Sequence, residues 1–471
     1  MIIGRENELK TLNNIFKKNN FECLIMYGRR RVGKTTLINE FVKNKKNIFY
    51  AALSSNSYDN LKALSLELKK YLKQSDKSIY SDYEAILDTI YEISKKERIV
   101  FVIDEFPYLA ESEKKFTSLL QHYIDKKFKE TKLFIILCGS SMSFMEKKVL
   151  SEKSPLFGRR TAQIKIEPLD YKKTALFNKK ISFENNALVY GITGGLPHYI
   201  NELNVKNDIK NALLENFLNS SSYLFGEPEN ILMQELREPN NYNAIINQIA
   251  NGATKLSEIS NKARIDMPQC SKYINILIKL DILKKNYPII GDSKKKSFYK
   301  LKDFLFRFWY YFVQPNMTLI NSGRIKNAYN EVISSYISNY MGEIFEEICK
   351  QYLLYYDKKM PINILDIGEW WGYDKKNNKE IQIDIVATSP KKNNSNDISI
   401  IVGSCKWTNE KVGIAELNLL KEYTSVMLQT YKNSTDINVY YYLFSKSGFK
   451  SSILEYKENN VKLINLKDLY N

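Results

Sequence analysis

One stretch limits the folds open to this chain more than any other: Leu24-Ile25-Met26-Tyr27 running without a break into GRRRVGKTTL. The apolar run predicts a buried strand, and the glycine-bounded segment after it satisfies GxxxxGK[ST], a pattern that requires a strand, a loop and then a helix. Gly28 and Gly33 let the backbone wrap closely. The loop residues Arg29, Arg30, Arg31 and Val32 and the helix start at Lys34, Thr35 and Thr36 can then aim their N–H groups at one point. Such a nest of donors takes an anion, and the spacing implies the phosphates of a nucleoside triphosphate. Lys34 is expected at the β- and γ-phosphates and Thr35 on Mg²⁺.

Further on, RIVFVIDEF reads as an apolar strand ending in two carboxylates. Asp104 is expected in the magnesium shell and Glu105 is expected to polarise the attacking water. The alternative is a core strand with a polar end. The strand LFIILCGSS ends in Ser140 and Ser141, where Ser140 is either a sensor of the γ-phosphate or turn chemistry. In SPLFGRRT, Arg159 and Arg160 are either a source of transition-state stabilisation, from this chain or a neighbouring copy, or a surface basic pair.

A chain of 471 residues is too long for one core, so several domains are expected. Up to residue 171, apolar runs at Leu24–Tyr27, Asn47–Ala51, Ile99–Asp104, Leu133–Leu137 and Arg160–Ile166 alternate with helical-period segments. That alternation predicts a parallel sheet covered by helices. Residues 172–239 turn helical, broken at GITGGLPHYI, and suggest a lid. Residues 240–320 hold three helical stretches, a basic hairpin with GDSKKK as its turn, and the connecting aromatic segment. This predicts a winged helix-turn-helix, with Lys255–Lys262 as the first helix of the turn motif, Pro268–Leu280 as the recognition helix and Lys294, Lys295 and Lys296 on the wing. Residues 321–471 open with a helix, Val332–Tyr355, followed by strands at Asn363–Gly368, Ile381–Ala387 and Ile398–Val402. A second α/β domain is implied.

Composition excludes several classes. Five isolated cysteines and two histidines leave little material for disulfide frameworks, zinc ribbons or histidine-based triads, and a reducing cytoplasm fits. No signal-peptide pattern opens the chain, and the longest aromatic-apolar run, Phe304–Val313, is too short to cross a membrane. The net charge of +17 suggests an anionic partner, although abundant lysine, asparagine, isoleucine and tyrosine also fit an AT-rich genome. The charge is concentrated: Asn241–Asp303 carries 12 Lys and Arg against 5 Asp and Glu, or +7. Nucleic acid, DNA ahead of RNA, is the expected partner; a docking role for the turn motif, a protein partner and a homo-oligomer stay open.

Together IIGRENEL, GRRRVGKTTL, FVIDEFPYL, CGSS, PLFGRR, GITGGLPHYI and FYKLKDFLFRFWYYFV resemble the archaeal-type ATPase family of STAND-like, AAA-related NTPases. The resemblance covers nearly the whole chain, and the three arginines inside the P-loop sharpen it. It implies ATP rather than GTP, places Gly4, Arg5 and Glu6 beside the adenine, and has the GGLP turn open a lid helix over the nucleotide. It also implies a C-terminal domain resembling restriction-endonuclease-like folds, with Trp370, Trp371 and Trp407 matching the aromatic pattern. The helix Tyr340–Tyr355 opens that domain; in a nuclease of that type, Asp384 and an acid two residues before Lys406 bind Mg²⁺, which generates and positions the attacking water, while Lys406 supports the charged transition state. That helix carries Glu343, Glu346 and Glu347, and Glu346 is the candidate. The chain departs from the pattern at Ser404, where the acid is expected; Glu346, Glu410 or Glu416 are possible replacements. The expectation is therefore an ATP-hydrolysing switch coupled to nucleic acid. The alternatives are an ATP-regulated nuclease, or a nucleotide-binding, DNA-bound regulator with an inactive nuclease-like domain.

Overall fold

The computed structural model describes residues 2–206, 208–290, 297–390, 398–429 and 437–471. The chain divides into two units, Met1–Pro168 with Leu196–His198, and Leu169–Gly195 with Tyr199–Asn471. Apart from Leu196–His198, the segments expected as lid, turn motif and C-terminal domain lie in the second unit.

In the first unit, β-branched and aromatic runs form five strands: β1 Glu22–Tyr27, β2 Asn47–Ala51, β3 Ile99–Asp104, β4 Leu133–Gly139 and β5 Ala162–Lys165. They pair in the order β2-β3-β4-β1-β5, all parallel. Every residue of β3 and β4 is buried, as helices on both faces of a parallel sheet require. Phe101, Ile103, Ile135 and Leu137 belong to a core shared with Leu64, Leu87 and Leu120 of the covering helices. Each fully buried side chain of this kind contributes about 1.5–3 kcal/mol. The fifth strand starts two residues later than its apolar pattern predicts. The Thr161 hydroxyl, rather than a ladder carbonyl, accepts from Cys23 N at 3.0 Å.

The order of this sheet positions the site. Because β4 lies between β1 and β3, the C-terminal ends of the three strands are neighbours, and Gly28, Ser140 and Glu105 emerge along one edge.

In the second unit, the helices Pro239–Ala250, Leu256–Ala263 and Met267–Lys279 precede an antiparallel hairpin, β6 Leu283–Asn286 and β7 Phe298–Leu301. Asp266 caps the third helix by accepting from Gln269 N at 3.1 Å, with Pro268 in its first turn. That helix buries Cys270, Tyr273, Ile274 and Leu277, an i, i+3, i+4, i+7 stripe. Lys294, Lys295 and Lys296 fall outside the described residues. The aromatic run Phe304–Val313 is core: Trp309 and Tyr310 are buried, and Trp309 Nε1 donates to Phe225 O at 2.6 Å. Among the described residues no helix is long and apolar enough to cross a membrane.

The helix Ser334–Tyr355 leads into a mixed sheet of β8 Asp366–Asp374, β9 Lys379–Thr388, β10 Ile398–Lys406, β11 Ile437–Ser445 and β12 Val461–Asn465. Its order is β12-β11-β10-β9-β8; β8, β9 and β10 run antiparallel to one another in turn, and β10, β11 and β12 are parallel. The first of these strands begins and ends later than expected. Trp370 buries into the core and Trp371 pairs with Gln382, so the strand continues to the turn where Asp374 accepts from Lys376 N and Asn377 N.

Candidate nucleotide site and a second polar cluster

Gly28 follows β1 and passes so close to the chain after β5 that a Cβ there would stand 2.4 Å from Ile166 O. Gly33, at φ +91°, turns the loop into the helix Lys34–Val42, beside Pro197 of the GGLP turn. Lys34, 6% exposed, folds back over the loop, and its Nζ donates to Gly28 O and Arg29 O, each at 2.8 Å. Burial pushes its ammonium down, against the opposing pull of Glu105 and Asp104. The lysine thus occupies the hollow of the loop, on carbonyls that a phosphate oxygen would replace.

Thr35 Oγ1 donates to Asp104 Oδ2 at 2.6 Å, so the two residues expected around Mg²⁺ already meet. A hydroxyl and a carboxylate oxygen are hard ligands and fit that ion. Asp104 Oδ1 accepts from Glu105 N at 3.0 Å. Glu105 is left-handed, at φ 49° and ψ 43°, an uncommon backbone state for a non-glycine residue. Its Oε2 accepts from Ser140 Oγ at 2.8 Å and from Ser140 N at 3.3 Å. Thr35, Asp104, Glu105 and Ser140 form one hydrogen-bonded chain across the helix start, β3 and β4.

Arg5 is 4% exposed and structural in its contacts. It donates to Val32 O at 3.0 Å and Glu167 O at 2.8 Å and pairs with Glu8 at 2.9 Å, tying the end of the P-loop to the residues after β5. Gly4, at φ 70°, precedes it, and its N–H donates to Glu6 Oε1 at 3.3 Å. Arg30 Nη2 reaches Tyr108 OH at 3.4 Å, while Thr36 is exposed on the helix. Arg159 does not join the chain of site residues: it forms a two-nitrogen ion pair with Asp125, the shorter contact being 2.9 Å. Arg160 donates to Leu150 O at 3.1 Å and lies over the Phe157 ring. Spacing gives no sign of the Asp125 and Leu150 partners, because they come from another helix and an irregular segment.

The second cluster lies in the other unit. The pairing of β9 with β10 reaches Ile385 and Gly403, and Asp384 comes next, its Oδ2 accepting from Cys405 N at 2.9 Å. Along β10, Ile400 and Val402 face the core shared with Leu417 and Leu420. The two-residue period carries Ser404 and Lys406 to the same side. There Glu416, in the first turn of the helix Ile414–Leu428, accepts from Ser404 Oγ at 2.7 Å and pairs with Lys406 at 3.1 Å. Glu346 on the facing helix is pushed up to about 8 by burial and by Asp384. Burial also raises Asp384, against the opposing effects of the Cys405 N–H and Lys406. The backbone carbonyl of Glu410 accepts from the Thr408 hydroxyl. No group of three or more His, Cys, Asp or Glu among the described residues stands where it could hold a metal ion.

Glu369, on β8, is marked by no motif. It is 5% exposed and accepts from Lys350 Nζ at 3.0 Å and Lys300 Nζ at 3.1 Å. Burial pushes its carboxyl up, yet Lys350, Lys300 and Lys284 hold it down at about 2. A lone glutamate between a glycine and two tryptophans carries no periodic signal; only the sheet brings the lysines to it.

The parallel sheet with β4 inserted, the P-loop and the Asp104–Glu105 pair define a P-loop NTPase of the ATPase type. An ATPase domain predominantly from Archaea matches residues 2–203, and a domain of archaeal and bacterial proteins of unknown function matches residues 309–417. The uncharacterized protein MJECL04 of Methanocaldococcus jannaschii is 34% identical over 422 residues, 87% of this chain and 88% of that one. The chain belongs to this archaeal ATPase family. A 46-residue stretch is 48% identical to the uncharacterized ATP-binding protein MJ0423 of the same organism, covering 10% of this chain and 78% of that one. Among solved structures, the Walker-type ATPase PABY2304 of Pyrococcus abyssi aligns with a TM-score of 0.50 at 19% identity, over 66% of this chain and 96% of that one. That likeness concerns the fold.

Proposed function

We propose that this protein binds and hydrolyses ATP and uses the nucleotide state to control its hold on nucleic acid. The observation that carries the first half is the chain Thr35–Asp104–Glu105–Ser140 beside a buried Lys34. On this reading, Lys34 leaves the carbonyls of Gly28 and Arg29 for the phosphates, and the N–H groups from Gly33 to Thr36 hold the β-phosphate. Thr35 and Asp104 hold Mg²⁺, which neutralises phosphate charge. Glu105 orients the attacking water and takes up its proton, while Ser140 fixes the carboxylate until the γ-phosphate arrives. The nucleic-acid half is supported by the +7 charge of Asn241–Asp303 and by its capped third helix next to a hairpin, the arrangement of a winged helix-turn-helix.

The test is steady-state phosphate release from ATP with Mg²⁺, with and without double- and single-stranded DNA, comparing wild type with Lys34→Ala. Turnover that rises with DNA and vanishes in the variant is expected. Turnover present in Lys34→Ala would sink the site; turnover indifferent to DNA would move the coupling to a protein partner.

A second reading, a metal-dependent nuclease in the C-terminal domain, has one observation in its favour: Glu416 places a carboxylate against Ser404 and Lys406, where the sequence lacks an acid. Asp384→Ala should then abolish Mg²⁺-dependent cleavage of DNA and leave ATP turnover unchanged. Wild-type protein that does not cut leaves this domain a binding module.

A further inference from the structure

The chain passes from one unit to the other after Pro168, after Gly195 and again after His198. The block Leu169–Gly195, which holds the first helices of the expected lid, therefore belongs to the second unit. The three residues that follow it, Leu196–His198, belong to the first, where Pro197 stands beside Gly33 of the P-loop. The two ends of the block are pinned to each other. Leu169 N donates to Gly195 O at 2.9 Å, and a Cβ on Gly195, at φ +72°, would stand 1.9 Å from Leu169 O. That atom is backbone and the φ is left-handed, so only glycine fits this neck.

The block is clamped by the helix Ser334–Tyr355. Tyr340 OH donates to Gly191 O at 2.7 Å, and Met341 Sδ and Ile344 Cδ1 lie 2.8 Å and 2.9 Å from where a Cβ on Gly191 would stand. Gln351 bonds the block twice: its Nε2 donates to Tyr190 OH at 2.6 Å, and its Oε1 accepts from Tyr171 N at 3.1 Å. Just past the helix, Tyr356 OH donates to Asp170 Oδ1 at 2.7 Å. Tyr171, Tyr190 and Tyr340 are buried, so breaking these bonds strands polar groups away from water. A contact that is close-packed and hydrogen-bonded in this way does not slide; the two elements move together or jump between discrete arrangements. At about 100° per residue, Tyr340, Ile344 and Gln351 form one stripe of the helix, and Glu346 stands roughly 140° round from it, facing Asp384. One rigid element thus holds the block on one side and half of the buried acid pair on another.

We infer that the helix Ser334–Tyr355 is a relay through which nucleotide at the P-loop acts on the Asp384 cluster, with Gln351 as the residue that couples it to the block Leu169–Gly195. A displacement of Leu196–His198 pulls on the Gly195 neck, the block follows as one piece, and the helix follows the block. The input of the relay rests on the proposed nucleotide binding; the clamp does not.

Hydrogen–deuterium exchange of the full chain, with and without a non-hydrolysable ATP analogue and Mg²⁺, tests the relay. In wild type the analogue should slow exchange in peptides covering Leu24–Val42 and also change it in peptides covering Ser334–Tyr355. Gln351→Met, which keeps the length of the side chain and removes both bonds, should retain the first response and lose most of the second. A clamp that is merely structural would instead speed exchange of Ser334–Tyr355 equally in both states and leave the nucleotide-dependent difference intact, which would overturn the relay. A wild-type response confined to Leu24–Val42 would overturn it too, with nucleotide binding left standing. No response even at Leu24–Val42 would sink nucleotide binding and the relay with it. Tyr340→Phe, which removes one hydroxyl from a buried ring, carries the same comparison should Gln351→Met fail to fold.

Discussion

At the residue scale, the nucleotide site rests on a few side chains held in costly states. Glu105 sits in the left-handed region, which costs on the order of 1 kcal/mol, and the Ser140 hydroxyl and N–H hold its carboxylate there. If Glu105 handles the water, Glu105→Gln lowers kcat by about a hundredfold or more while ATP affinity stays near wild type, measured by single-turnover hydrolysis and nucleotide binding. An equal loss in both would reassign Glu105 to binding. Gly28→Ala drives a Cβ to 2.4 Å from Ile166 O, a backbone atom that cannot step aside cheaply. It should destabilise the first unit by about 1–3 kcal/mol in urea unfolding; unchanged stability would mean that the loop can shift away from β5.

At the element scale, secondary structure brings distant residues into register. The two-residue period of β10 and the first turn of the helix Ile414–Leu428 bring Ser404, Lys406 and Glu416 together, and Glu346 faces Asp384 from the helix Ser334–Tyr355. Folded Glu346 keeps its proton up to about pH 8, whereas the unfolded chain loses it in the ordinary carboxylate range. Between those limits the folded state binds more protons, so stability falls as pH rises through that window. Glu346→Gln should lessen that fall, leaving the part due to the buried Asp384, read as a flatter melting temperature against pH from about 5 to 8. A slope identical to wild type would show that Glu346 ionises normally. By contrast, the Lys406–Glu416 pair is partly exposed, so Glu416→Ala should cost less than about 1 kcal/mol. Its informative readout is cleavage.

At the scale of the whole molecule, ATP chemistry in the first unit and charge in the second either form one device or two. The +17 charge alone would give weak, salt-sensitive binding to any polyanion. Coupling makes a sharper demand: with Glu105→Gln, which should hold ATP uncleaved, DNA affinity must differ between the ATP-loaded and nucleotide-free protein. Identical affinities in the two states would reduce the positive charge to composition. Much of the nucleotide site is legible without coordinates. The strand-loop-helix of Leu24 to Thr36 and the acids after Val102 and Ile103 are local signals, because close backbone wrapping and a strand end each require particular residues at fixed spacing.

The order of residues sets the local chemistry: which glycines bend, which lysine and hydroxyl head the helix, which strand ends in carboxylates, and where the helices of the second unit begin at Asp266 and Asp303 caps. Which residue meets which is settled by the fold alone. Insertion of β4 between β1 and β3 gives Glu105 to Ser140; packing pairs Arg159 with Asp125, brings Glu416 to Ser404, and gathers Lys300 and Lys350 on Glu369. The physical reason is the range of the forces involved. Backbone conformation and capping are fixed within a few residues, whereas partners for buried charges are chosen by packing, which brings together residues far apart in the chain.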